Sequence, residues 1–139
     1  MTVIINGKAS SQPEPRPWPK SLWRGFLRRC PHCGKGPLIA GYLKAAERCS
    51  ACGEVLHHHC ADDAPPYFTI FIVGHIVVPS VLIVEKLWQP PLVLHFALWL
   101  VVTLALTFLI MPSVKGAIIG LQWALRLHGF GAPQAREAE

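Results

Sequence analysis

Four cysteines fall in two pairs, Cys30-x2-Cys33 and Cys49-x2-Cys52, with fifteen residues between them. Each pair ends in glycine, as Cys30-Pro-His-Cys-Gly34 and Cys49-Ser-Ala-Cys-Gly53. Two thiolates separated by two residues can wrap one tetrahedral ion, and the glycine lets the backbone turn so that amide N–H groups point at sulfur. This spacing predicts a zinc ribbon folded around one structural zinc per chain. A four-thiolate site is coordinatively closed, so the metal would hold structure rather than catalyse. A redox role for either Cys-x-x-Cys pair is the weaker reading, because two such pairs suit a shared metal better.

A second group of ligand types follows, His57, His58, His59 and Cys60. Consecutive residues point in different directions on any regular element, so all four do not readily grip one ion; a solvated linker is the competing reading. Further along, His75, Glu85 and His95 are ionisable residues in or beside apolar segments, where such groups are functional candidates by default. If two helices meet at a turn near residue 90, His75 lies about 20 Å from that turn and His95 about 5 Å, at 1.5 Å per residue. They cannot share an ion or a haem within one chain. Glu85 lies at the depth of His95, and those two are expected to hydrogen-bond. No Gly-rich phosphate loop, nucleophile elbow or His-Glu-x-x-His occurs, so no enzymatic activity is expected.

The elements that must carry these residues are of two kinds. Of 139 residues, 52% are hydrophobic and only 15% charged, and most of the charge lies before residue 64. That division argues against one globule. Residues 1–20 are polar and proline-rich, without a secretory signal, and read as a disordered tail. Residues 21–56 hold a basic helix and the ribbon. Ser21 is placed to cap a helix over 22–29, with Leu22, Trp23, Phe26 and Leu27 on one arc; it either lies at the lipid headgroups or packs on the ribbon. Leu38-Ile39 and Tyr42-Leu43 can form a short hairpin around Ala40-Gly41. A ribbon this short buries too little apolar surface to fold without its metal.

Residues 57–66 read as a linker. Two runs, 67–88 and 92–111, are long and apolar enough to span a bilayer as a hairpin closed at Gln89-Pro90-Pro91. Residues 112–128 then carry a polar stripe, Lys115, Gln122 and Arg126, on an otherwise apolar segment. They are expected to form an interfacial amphipathic helix, or a kinked extension of the second span, stopped by Gly129. Gly116 and Gly120 form a small-xxx-small pair suited to close helix approach. Residues 129–139 are a polar tail.

The net charge of +5 could suggest nucleic acid. Its position favours orientation instead: Arg24, Arg28, Arg29, Lys35, Lys44 and Arg48 precede the first apolar run, where the positive-inside rule places cytoplasmic charge. Both termini and the ribbon are therefore expected on the cytosolic side of the membrane, where thiols stay reduced.

Three blocks together resemble a known family. They are Arg29-Cys-Pro-His-Cys-Gly-Lys-Gly36 with Arg48-Cys-Ser-Ala-Cys-Gly53; the run from Tyr67 through Gly74-His75 to Pro79; and Lys115-Gly-Ala-Ile-Ile-Gly-Leu-Gln-Trp123. In this order they are similar to the small bacterial membrane proteins of domain-of-unknown-function family 983, over roughly Arg24 to His128. The family implies an integral membrane protein without an assigned activity, and its genes often lie among those for respiratory oxidase assembly. It usually carries an Asp-Gly-Pro-Ala-like turn before the first span, where this chain has Asp63-Ala-Pro-Pro66. The function expected is an accessory or scaffold protein for a membrane complex, acting through a protein partner or self-association. The alternatives are a membrane-tethered nucleic-acid binder and a metal carrier using His57 to Cys60.

Overall fold

The computed structural model describes residues 15–57 and 64–130. Pro17 and Pro19 decide where the first helix begins. Proline lacks an N–H and has a fixed φ, which suits the first turn of a helix, and α1 runs from Trp18–Phe26 with Pro17 as its N-cap. It therefore starts and ends earlier than the expected 22–29. Ser21 is not a cap: it is 2% exposed inside the helix and donates its hydroxyl to the Pro17 carbonyl at 3.0 Å. Beyond Leu27 the chain turns out of the helix, with Arg28 at a φ of 59°.

The ribbon contains three isolated antiparallel bridges, Arg29 with Pro37, Ile39 with Ala45, and Arg48 with Val55. Its central hairpin is wider than the expected one. The Ala40 N–H donates to the Lys44 carbonyl at 2.8 Å, so Tyr42 and Leu43 form the tip rather than an arm.

Helix α2 spans Ala64–Trp88 and α3 spans Leu92–Ala124, joined by residues 89–91 and packed on each other. The first begins before Tyr67 because Pro65 and Pro66 can occupy its opening turn. Both are long and apolar enough to cross a membrane. Their large side chains face outward: Tyr67, Leu87, Leu92 and Val93 are all exposed.

Of the two expectations for residues 112–128, the extension of the second apolar helix is the one observed. α3 continues through Pro112 to Ala124, so residues 112–128 are no separate interfacial helix but mostly the last turns of the second apolar helix. Two physical reasons account for this. Proline removes one donor, leaving the carbonyl four residues earlier without its helical partner. Here that carbonyl belongs to Phe108, and the Tyr42 hydroxyl donates to it at 2.6 Å while the two rings pack at 5.9 Å. The ribbon tip thus supplies the donor that Pro112 removes.

The second reason is burial. Residues 92–111 of α3 include no buried residue, whereas Val114, Gly116, Ile119, Gly120, Trp123 and Ala124 are all buried. α1 and the ribbon cover this last part. α1 approaches with its smallest face, Ser21 and Gly25, laid against Gly120 and Gly116. A Cβ on Gly25 would overlap the Gly116 carbonyl, one on Gly116 the Gly25 carbonyl, and one on Gly120 the Ser21 carbonyl. The small-xxx-small pair therefore has a partner inside the same chain. Trp23, Phe26 and Leu27 are left exposed on the far side of α1.

The expected polar stripe is not formed. Gln122 is 8% exposed, and Arg126 lies past the helix end at a φ of 57°, before a 3₁₀ turn at Leu127–Gly129. Only Lys115 remains on the helix as a half-buried cation. The core joins ribbon to α3 through Cys30, Leu38, Cys49, Leu56, Ile119 and Trp123.

Tyr42→Phe keeps the ring contact and removes the donor. It is expected to cost about 1 kcal/mol, the net worth of one hydrogen bond. In a Pro112→Ala background, where residue 112 regains an N–H for Phe108, the same change should cost much less. Thermal unfolding of the four proteins of this cycle in detergent reads the difference, and equal costs in both backgrounds would refute the link.

Candidate metal centre

Each cysteine pair is held by the same local scaffold. Gly34 and Gly53 adopt φ values of 72° and 74°, the left-handed region that glycine enters without steric cost. Their N–H groups donate to the Cys30 and Cys49 carbonyls at 2.8 and 2.9 Å. The Cys30 N–H donates to Gly36 at 2.8 Å and the Cys49 N–H to Glu54 at 2.9 Å. Two copies of one turn thus face each other.

Facing turns bring four free thiols together, their sulfurs all within 4.8 Å of one another. Cys30 to Cys52 and Cys33 to Cys49 are both 3.7 Å apart. A tetrahedral ion with sulfur ligands at 2.3 Å requires sulfurs about 3.8 Å apart. The donor set therefore fits a single soft divalent ion, held by Cys30, Cys33, Cys49 and Cys52. Four thiolates leave such an ion no open position for substrate, so what it supplies is a cross-link between the turns.

The environment is asymmetric. Burial pushes the Cys30 thiol far up and also raises that of Cys52. Backbone N–H groups of Gly36 and Lys35 hold Cys33 down, at about 6; the Lys35 N–H lies 3.4 Å from its sulfur. Cys33 is thus ready as a thiolate, whereas Cys30 and Cys52 must surrender protons to a metal.

The site is tied to both helices. Arg24 of α1 donates to the Pro31 and His32 carbonyls at 3.1 and 2.6 Å, fastening the first turn. The Trp123 indole N–H donates to the Glu54 carboxylate at 2.8 Å, fastening the second, and its ring meets His32 edge-on at 5.8 Å. Arg16, expected in the tail, is anchored. It donates to the Trp123 and Phe130 carbonyls at 3.0 and 2.8 Å and stacks 4.1 Å over the Trp123 ring. It thereby ties the segment before α1 to the end of α3 and the turn that follows it. The sequence held one signal for this frame: a small pair at Ser21 and Gly25 matches the four-residue spacing of Gly116 and Gly120.

The other sequence candidates are not gathered into one site. His57 is exposed at the end of the ribbon, and His58, His59 and Cys60 lie outside the described residues. His75 is exposed on α2, with Nδ1 at 2.8 Å from the Phe71 carbonyl of its own helix. Glu85 and His95 do meet across the helix pair, but at 3.7 Å, beyond hydrogen-bond length. The expected bond is therefore only an electrostatic proximity. Glu85 is over half exposed, so solvent competes for its carboxylate.

Among known families, a model described as "Protein of unknown function (DUF983)" matches residues 39–123. The match takes in the second cysteine pair and both apolar helices, and begins after the first pair. Comparisons with curated proteins and with solved structures gave no match.

Proposed function

The chain belongs to the DUF983 family of proteins of unknown function, and from that premise we propose a membrane-embedded accessory protein that presents a structural zinc ribbon to a protein partner at the cytosolic face. The observation that carries this reading is the rigid seat of a closed four-thiolate site on the end of α3. A closed site offers no chemistry, while a ribbon fastened by Arg24, Glu54, Trp123 and Tyr42 offers a fixed surface.

Spanning is supported by exposure. The apolar core helix of a soluble protein is mostly buried, yet residues 92–111 include no buried residue. At 1.5 Å per residue those twenty residues measure about 30 Å, the thickness of a bilayer's hydrocarbon. On this reading Tyr42 sits where the apolar segment ends, at the depth interfacial aromatics favour. Trp23 and Leu27 face outward on α1. The basic flank before α2 orients the ribbon to the cytosol of the inner membrane.

The partner proposed is an assembling respiratory oxidase, a step that rests on family resemblance alone. The test is crosslinking and co-purification from native membranes beside a deletion strain, with reporter fusions at both termini. An oxidase subunit or assembly factor trapped on the ribbon, with loss of oxidase activity in the deletion, is the expected result. Normal oxidase levels with no such partner refute the oxidase role, and an external ribbon refutes the orientation.

A further inference from the structure

A cavity of about 230 Å³ lies between the start of α1, the first cysteine turn and the last turn of α3. Three of its lining side chains are cations, Arg16, Lys20 and Arg24, and His32 and Ser21 add polar groups to its wall; among the described residues no aspartate or glutamate lines it. In a chain with 13 Lys and Arg against 8 Asp and Glu, such one-sided clustering is not forced by composition. Like charges brought together in a concave wall raise the local concentration of anions.

Two of the cations are fixed in place. Arg16 is pinned to the Trp123 and Phe130 carbonyls, and Arg24 to those of Pro31 and His32. Their cost of ordering is already met by the fold, which is what preorganises a binding site. The carboxylate paired with this cluster, Glu54, stands 3.9 Å from Arg16 and is committed to the Trp123 indole N–H at 2.8 Å. It offsets one charge and leaves two. Lys20 is exposed and has no ion pair among the described residues.

We propose that this cavity binds a phosphate-bearing anion, held by the Arg16 and Arg24 guanidinium groups and the Lys20 ammonium. Planar guanidinium groups match phosphate oxygens, and ammonium adds a compact charge. The volume admits a phosphate with a small substituent. Phosphate can come from a soluble ester or a lipid headgroup. Position favours the soluble source: Trp123 lies eleven residues past Pro112, about 16 Å along α3 beyond the exposed apolar segment. The headgroup layer on each side of a bilayer is only about 5–8 Å deep.

Full-length protein in phosphatidylcholine nanodiscs is titrated calorimetrically with inorganic phosphate at constant ionic strength, with sodium chloride as the control. Saturable binding is expected, about tenfold weaker in Lys20→Gln and abolished in Lys20→Glu. Lys20 is exposed, and an unchanged metal content and thermal midpoint verify that its variants fold. In a second arm, phosphatidylglycerol nanodiscs replace free phosphate. Lipid retention in native mass spectrometry that falls in both Lys20 variants, with phosphate binding blocked, assigns the site to a headgroup. Absence of saturable binding in both arms, or binding that ignores Lys20, overturns the proposal.

Discussion

Replacing Cys33 and Cys52 together by serine is expected to abolish metal binding and unfold the ribbon while α2 and α3 remain helical. The pair takes one ligand from each turn, so neither half can keep a site. Structural zinc in small modules contributes an apparent ~10–16 kcal/mol at neutral pH. Domains are stable by only ~5–15 kcal/mol in all. Losing the ion therefore removes more than the ribbon's bridges and small core can replace. Elemental analysis of purified protein should give one ion per chain for the parent and none for the variant. Proteolysis should then cut freely within residues 30–57. Stoichiometric metal retained by the variant would sink the assignment.

The same site predicts a pH response. Cys30 and Cys52 are held protonated by burial, whereas Cys33, at about 6, is largely ionised at neutral pH. Metal must displace the first two protons, so protons compete with it. Affinity is expected to fall as pH falls, and most steeply once pH drops below about 6 and Cys33 also protonates. Titration of metal-free protein in two buffers of different ionisation enthalpy would count the protons released. Affinity unchanged between neutral and acidic pH would contradict a thiolate site.

The two cysteine turns, the apolar helices and the turn between them were legible because each depends on local pattern. Cys-x-x-Cys-Gly fixes its own geometry, and a twenty-residue apolar run has few alternatives. For residues 112–128 the sequence left two alternatives open, a separate helix or an extension of the second span, because the rule that proline ends a helix is local; the extension is what forms. The partner of the carbonyl that Pro112 frees is a distant group, Tyr42, which no local rule could find. The α1 face was misread for a related reason. Hydrophobicity marks the aromatic arc as the one to bury, but closeness of approach selected Ser21 and Gly25 instead. Arg16 carried no pattern at all: its role exists only once the end of α3 is beside it.

That choice of the small face makes glycine the sensitive residue at the α1–α3 crossing. Gly116→Val and Gly25→Val are each expected to force α1 off α3, because the added Cβ meets backbone carbonyl oxygen rather than a movable side chain. Overpacking of this kind typically costs about 1–3 kcal/mol, and here the neighbours are backbone, which cannot change rotamer. Gly74→Ala is the contrast, in the middle of α2 with nothing within 4 Å of its added Cβ. It should be silent or stabilise by about 0.5–1 kcal/mol, since alanine favours helix over glycine. Thermal unfolding in detergent separates the two outcomes, and metal content tells docking from folding. The valine variants should keep the ion, because the four cysteines all lie within the ribbon. They should also be cleaved faster by trypsin around Arg24, Arg28 and Arg29 as the α1 seat opens. Valine variants as stable and protease-resistant as the parent would show that the helices do not meet at these glycines. The ribbon would then have to be seated on α3 by the Tyr42 and Trp123 contacts and the core around Leu38 and Ile119.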